Sequence, residues 1–217
     1  MSASMPHKQE RLRAILRLAP VVAVVVINDV DAAVPLARAL LDGAIGAIEI
    51  TLRTPAALAA IRAIAEALPQ AAVGAGTVLS TTDLDAATAA GARFAVSPGA
   101  TPAMLDAAEM SALPLLPGAA TASEAILLAE RGYRLQKFFP AAAAGGVEYL
   151  RALAGPLQHI GFCPTGGIHA GNAPEYLRLP NVVCVGGSWL TPDTLMRAAD
   201  WPAIAALARA AAALPRH

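Results

Sequence analysis

At 217 residues the chain is long enough for a sizeable core and fits one domain, residues 1–217. Its formal net charge is zero and charged residues make up 15%, so no basic surface argues for nucleic acid or an anionic membrane. Hydrophobic residues make up 56%, yet no run of about 18 apolar residues occurs, and the start, MSASMPHKQERLRAIL, carries charges where a signal peptide needs an apolar segment; the expectation is a soluble, cytoplasmic protein.

A helix is expected over 8–18, ahead of the first strand. Short apolar runs then recur as candidate strands: VVAVVVI (21–27), AIEIT (47–51), AAVGAG (71–76), RFAVS (93–97), LPLLP (113–117), LQKFFP (135–140), HIGFCPTGG (159–167) and VVCVGG (182–187). Between them lie Ala/Leu-rich segments of helical spacing, such as TPAALAAIRAIAEALP and TASEAILLAERG. Several open on Thr, Ser or Asp followed by Pro or an acid, as helix caps do. Gly43, Gly91 and Gly132 fall where a C-terminal cap belongs. Eight strands alternating with helices imply parallel pairing, and a (β/α)8 TIM barrel with an extra N-terminal helix uses that number naturally. The rival, an open doubly wound sheet, usually carries GxGxxG after its first strand, and here only NDVDAA follows. Gly74 and Gly76 make a lone GAG, a weak signal.

In such barrels the chemistry sits at the C-terminal ends of the strands. Those ends read EITLRT, GAGTV, SPG, PGAAT, KFFPA, PTGG and GGSW, where polar, Gly and Pro residues gather. Lys137 interrupts an apolar run in a chain that prefers arginine: 14 of its 16 basic residues are Arg, and the other lysine is Lys8. Arg cannot lose its proton, whereas a desolvated Lys can become a neutral amine nucleophile. Lys8, among the charges of the first segment, is expected to be solvated and protonated.

Glu49 interrupts the second strand. It pairs with an arginine such as Arg53, or points outward between helices, or faces the barrel lysine and moves protons. Arg53 and Thr77, just past the second and third strands, could bind a carboxylate, or could be an exposed loop Arg and a turn cap. The glycine pairs in PTGG (164–167) and GGSW (186–189) follow the last two strands, where backbone N–H groups can approach an anion; a single Gly pair is usually just a turn. Cys163 and Cys184, without CxxC spacing, read as small buried hydrophobes. His7, His159, His169 and His217 form no HxH or HExxH pair, so a protein-bound metal is not expected.

Together the segments EITLRT (49–54), GAGTV (74–78), SPG (97–99), PG with a following Thr (117–121), KFFPA (137–141), FCPTGGI (162–168) and GGSWL (186–190) resemble the 2-keto-3-deoxy-6-phosphogluconate (KDPG) and 4-hydroxy-2-oxoglutarate (KHG) aldolase family. The resemblance implies a class I, Schiff-base lyase on a compact barrel, a homotrimer, with no cofactor and no metal. It implies Lys137 as the nucleophile and Glu49 as general acid/base. Arg53 and Thr77 would bind the pyruvyl carboxylate, Pro98 and Phe139 would shape the wall, and Gly166, Gly167, Gly187 and Ser188 would hold the phosphate. One departure is visible: after KFFPA the family commonly has Glu and, two residues on, Asn, where this chain has Ala142 and Ala144. Two other readings share the phosphate loops. A phosphosugar isomerase or epimerase would not need a lysine in the sixth strand, and a non-catalytic phosphometabolite binder would show no turnover.

Overall fold

The computed structural model describes residues 4–216; His217 and the chain's α-amino group lie outside them. The strands are β1 (Val21–Val25), β2 (Ala47–Thr51), β3 (Ala72–Gly76), β4 (Ala95–Val96), β5 (Leu115–Leu116), β6 (Gly118–Ala119), β7 (Leu135–Phe138), β8 (Gly161–Pro164) and β9 (Val185–Gly187). Every pairing is parallel, in the orders β5-β4-β3-β2-β1-β9 and β6-β7-β8. The two sheets are halves of one ring. β5 and β6 are a single strand interrupted at Pro117, which has no N–H to give a ladder but whose carbonyl accepts from Lys137 N at 2.9 Å. Bridges Phe162↔Val182 and Thr165↔Gly186 close the ring between β8 and β9. The eight expected strands are thus all present, as a (β/α)8 barrel.

The helices are α1 (Met5–Leu16), α2 (Ala33–Asp42), α3 (Ala57–Ala67), α4 (Thr81–Ala89), α5 (Pro102–Met110), α6 (Ala122–Glu130), α7 (Gly146–Ala154), α8 (Ala173–Leu177), α9 (Asp193–Arg197) and α10 (Trp201–Ala212). Their starts follow the expected chemistry. Ser80 with Asp83 and Thr121 with Glu124 form capping boxes, and Thr101 caps α5 ahead of Pro102. Thr54 departs from that pattern. It precedes α3 but gives its hydroxyl to Ile27 O, and α3 begins without a side-chain cap.

Side chains alternate about the ring as the period of two requires. Val21, Ala23, Val25, Ile48, Ile50, Val73, Ala75, Phe138, Phe162 and Val185 pack outward against the helices. A second cluster fills the lower barrel: Val22, Ala47, Ala72, Phe94, Leu135, Cys163 and Cys184, with Leu12, Ile15 and Leu16 of α1 against it. So α1 stoppers the N-terminal mouth. Both cysteines are free and buried, as expected.

Two expectations need correction. Gly43 ends α2, but its φ is −88°, which any residue can adopt. Its reason is space, since a Cβ there would collide with Ala208 of α10. Gly91 and Gly132, at φ 86° and 89°, are the left-handed caps expected. Lys8 is not solvated: it is 3% exposed, and its ammonium donates to Ala108 O (2.9 Å), Glu109 O (2.7 Å) and Ser111 O (2.8 Å), the carbonyls at the end of α5. Burial pulls its pKa down, with the charge of Glu109 opposing. Beside it Gln9 Oε1 accepts from Arg134 N and Leu135 N, each at 2.9 Å.

Candidate active site

The register of the ring brings the predicted residues together. Glu49 of β2 and Lys137 of β7 share the inward parity, two residues above Ala47 and Leu135 of the lower layer. They meet across the barrel, Lys137 Nζ donating to Glu49 Oε1 at 3.4 Å. Both are buried, 5% and 3% exposed. Among the described residues no second hydrogen-bond acceptor reaches Nζ. The Phe139 ring centroid stands 5.1 Å from it, a cation–π contact. Glu49 therefore does not pair with Arg53.

The GAG of β3 explains how Glu49 fits. A Cβ at Gly76 would collide with Glu49 Oε1, and one at Gly74 with the Phe94 ring. These glycines clear space for two inward side chains. Gly76 leads straight into Thr77, which is held at φ 58°. For a β-branched residue this conformation is costly, on the order of 1–3 kcal/mol, and such costs gather at functional sites.

Arg53 is exposed, and its Nε donates to Thr51 Oγ1 at 3.1 Å. Thr51 in turn donates to Val25 O at 3.1 Å. Being two residues beyond Glu49, Thr51 shares its inward face, so this chain of bonds ties the Arg53 guanidinium to the rim above the carboxylate. Pro98 lies against the other flank. A Cβ at Gly118, the register partner of Lys137, would collide with Pro98 O.

The glycine loops sit on the same rim. Gly166 and Gly167 have φ 95° and 74°, a left-handed pair that glycine adopts without steric cost. Neither N–H, nor that of Ser188, donates to a protein acceptor among the described residues. A Cβ on Gly166 would come within 3.2 Å of the Phe139 ring, which puts this loop directly against the lysine's aromatic neighbour. A Cβ on Gly187 would collide with Trp189. Ala142, where the family commonly has Glu, donates its N–H to Gly166 O at 3.0 Å. The loop is thus held by backbone bonds that need no acidic side chain.

Two residues on this inner face escaped the sequence reading. Thr51 positions Arg53. Thr165, 7% exposed, stands two beyond Cys163, the register partner of Lys137. Each follows an inward position by the strand period, which was the signal that could have found it. Ser97, fully buried just past β4, follows Ala95 of the outward-packing cluster, and its Oγ lacks a hydrogen-bond partner among the described residues. Among the described residues no group of three His, Cys, Asp or Glu could hold a metal ion, and no helix is long and apolar enough to cross a membrane.

Comparison with known proteins agrees with this geometry. A sequence profile described as KDPG and KHG aldolase matches residues 12–207. The 2-dehydro-3-deoxy-phosphogluconate aldolase of Dickeya dadantii (strain 3937) is 52% identical over 199 residues, 92% of this chain and 93% of that protein. The KHG/KDPG aldolase of Escherichia coli (strain K12) is 50% identical over 198 residues, 91% and 93% of the two. The crystal structure of KDPG aldolase from Legionella pneumophila, with pyruvate captured at low pH as a covalent carbinolamine intermediate, superposes with a TM-score of 0.91 at 45% identity, covering 93% of this chain and 98% of that one. Sequence, fold and the lysine–carboxylate pair inside the barrel converge on one assignment: the chain belongs to the KDPG and KHG aldolase family.

Proposed function

We propose that this protein is a class I aldolase that cleaves 2-keto-3-deoxy-6-phosphogluconate to pyruvate and glyceraldehyde 3-phosphate, and 4-hydroxy-2-oxoglutarate to pyruvate and glyoxylate. The observation that carries the reading is the buried Lys137 with a single carboxylate partner, Glu49 Oε1, at 3.4 Å. Proton transfer from ammonium to carboxylate leaves a neutral amine in a site with little water. The amine attacks the C2 ketone to give a carbinolamine, and loss of water gives a protonated imine. A base takes the C4 hydroxyl proton, the C3–C4 bond breaks, and its electrons move to the imine nitrogen. The aldehyde leaves and an enamine remains. Protonation at C3 and hydrolysis then release pyruvate and restore the amine. Glu49 is the group placed for these proton transfers. The imine is itself the electron sink, so the chemistry calls for no metal or organic cofactor.

The remaining assignments rest on position. Arg53 suits a bidentate hold on the substrate carboxylate, and Thr77, held at φ 58° just past β3, is the second candidate for it. Pro98 and Phe139 wall the lysine. The free N–H groups of Gly166, Gly167 and Ser188, with Gly187, suit the distal phosphate. We further take residues 1–217 as one barrel domain and the molecule as a cytoplasmic homotrimer, the assembly the family resemblance implies, which sedimentation would verify.

The direct test is to incubate the enzyme with pyruvate and borohydride, which reduces an imine to a stable secondary amine. Activity should disappear and mass should be added to the peptide that carries Lys137. Labelling at Lys8 instead, or full activity after treatment, would overturn the reading.

A further inference from the structure

A cavity of about 690 Å³ opens at the N-terminal mouth of the barrel, beside the first residue of β8, Gly161, and so at the end opposite the Lys137 rim. Its charged lining is entirely basic. Arg13 and Arg17 stand four residues apart at the end of α1 and so share a face. Arg216, from the end of the chain, is brought alongside by donating Nη1 to Arg17 O at 3.1 Å. None of the three guanidinium groups is in a salt bridge among the described residues, in contrast to Arg131, which binds both Asp106 and Glu109. Gln158 and His159 add further polar side chains to the same wall.

A concave site lined by one sign of charge concentrates counter-ions, and guanidinium groups match phosphate oxygens in pairs. The volume lies within the range of small-molecule sites. The cavity is also far larger than an inorganic ion requires, which leaves room for an organic portion beside the phosphate.

We propose that this basal cavity is a second ligand site, distinct from the catalytic rim, for a phosphorylated small organic molecule. The phosphate would sit among Arg13, Arg17 and Arg216.

The test is calorimetric titration of the full chain at fixed salt with ribose 5-phosphate and with inorganic phosphate. Wild type should show a saturable component that disappears, or weakens at least ~10-fold, in Arg13→Gln/Arg17→Gln, as loss of charge-assisted bonds implies. Ribose 5-phosphate should bind that component more tightly than phosphate. A second measurement needs no variant: bound ribose 5-phosphate should slow phenylglyoxal modification of the peptides that carry Arg13, Arg17 and Arg216. Identical titrations for wild type and double variant, or undiminished modification with ligand present, would overturn the site. Equal affinity for the two probes would overturn the requirement for an organic portion beyond the phosphate.

Discussion

The two lysines sit near opposite ends of the barrel, and both are buried, yet their partners prepare them for different work. Lys8 Nζ meets three carbonyl oxygens at 2.7–2.9 Å, one for each of its N–H groups. All three acceptors are fixed backbone, and none can accept a proton. Lys137 Nζ meets one carboxylate oxygen at 3.4 Å and the face of an aromatic ring. Its acceptor can take a proton, and two of its N–H groups are left without such partners. The contrast teaches that burial alone does not make a lysine a nucleophile. What matters is whether the neighbours satisfy the charged form or leave it an exit.

The comparison can be tested from its largest consequence downward. Lys137→Arg keeps a cation but cannot form an imine. Turnover should fall on the order of 10⁴-fold or more, with borohydride trapping abolished and the circular dichroism spectrum unchanged. Residual turnover near wild type would mean that the pair is structural. Glu49→Gln should lower kcat by ~10²–10⁴-fold, the usual range for a general acid–base group. It should also lower stability, because Lys137 would then lose the carboxylate it is paired with; thermal melting would check this.

Lys8→Met inverts the expectation. It should leave kcat and KM in place but cost about 1–3 kcal/mol by urea titration, as three carbonyl groups at the end of α5 lose their donor. A loss of catalysis with stability intact would erase the distinction between the two lysines.

The smallest effect comes from an acidic counterpart to Lys8. Glu124 Oε2 accepts from Ala120 N, Thr121 N and Thr121 Oγ1 at 2.8–2.9 Å. These bonds, the one from Ala120 first, hold its pKa below the ordinary carboxylate value, against the effect of burial. A depressed carboxylate pKa means that the folded chain binds fewer protons than the unfolded one. Its contribution is therefore complete above the unfolded value and fades as pH falls through the folded one. Glu124→Gln should then lower stability by roughly 0.5–1 kcal/mol at pH 7, and the gap to wild type should close on acidification below about pH 4. A gap that does not change with pH would show that the bonds do not depend on charge.

Much of this site was legible before any coordinates. The strand runs place every strand, because parallel barrel strands are buried on both faces and read as short apolar blocks. Lys137 stands out because the chain otherwise favours arginine. The role of GAG was not legible. That Gly76 makes room for Glu49 follows only once β2 and β3 are placed side by side, Glu49 opposite Gly74 and Thr51 opposite Gly76. The sequence also left open whether Glu49 pairs with Arg53 or Lys137, since one is four residues away and the other 88. Lys8 was misjudged for a related reason. Its neighbours in sequence are charged, but the surface that buries it is about a hundred residues distant.

That distance bears on the order in which the molecule assembles. α1 precedes every strand, yet its polar anchors reach Ala108, Glu109 and Ser111, then Arg134 and Leu135, over separations of 100 to 126 residues. Closing so long a loop costs entropy that no local contact returns. The helix can dock only after the segments through β7 have found one another. α1 is thus a late clasp on a nearly finished ring, and its amides should exchange with solvent ahead of those in β1 to β3 whenever the N-terminal mouth opens.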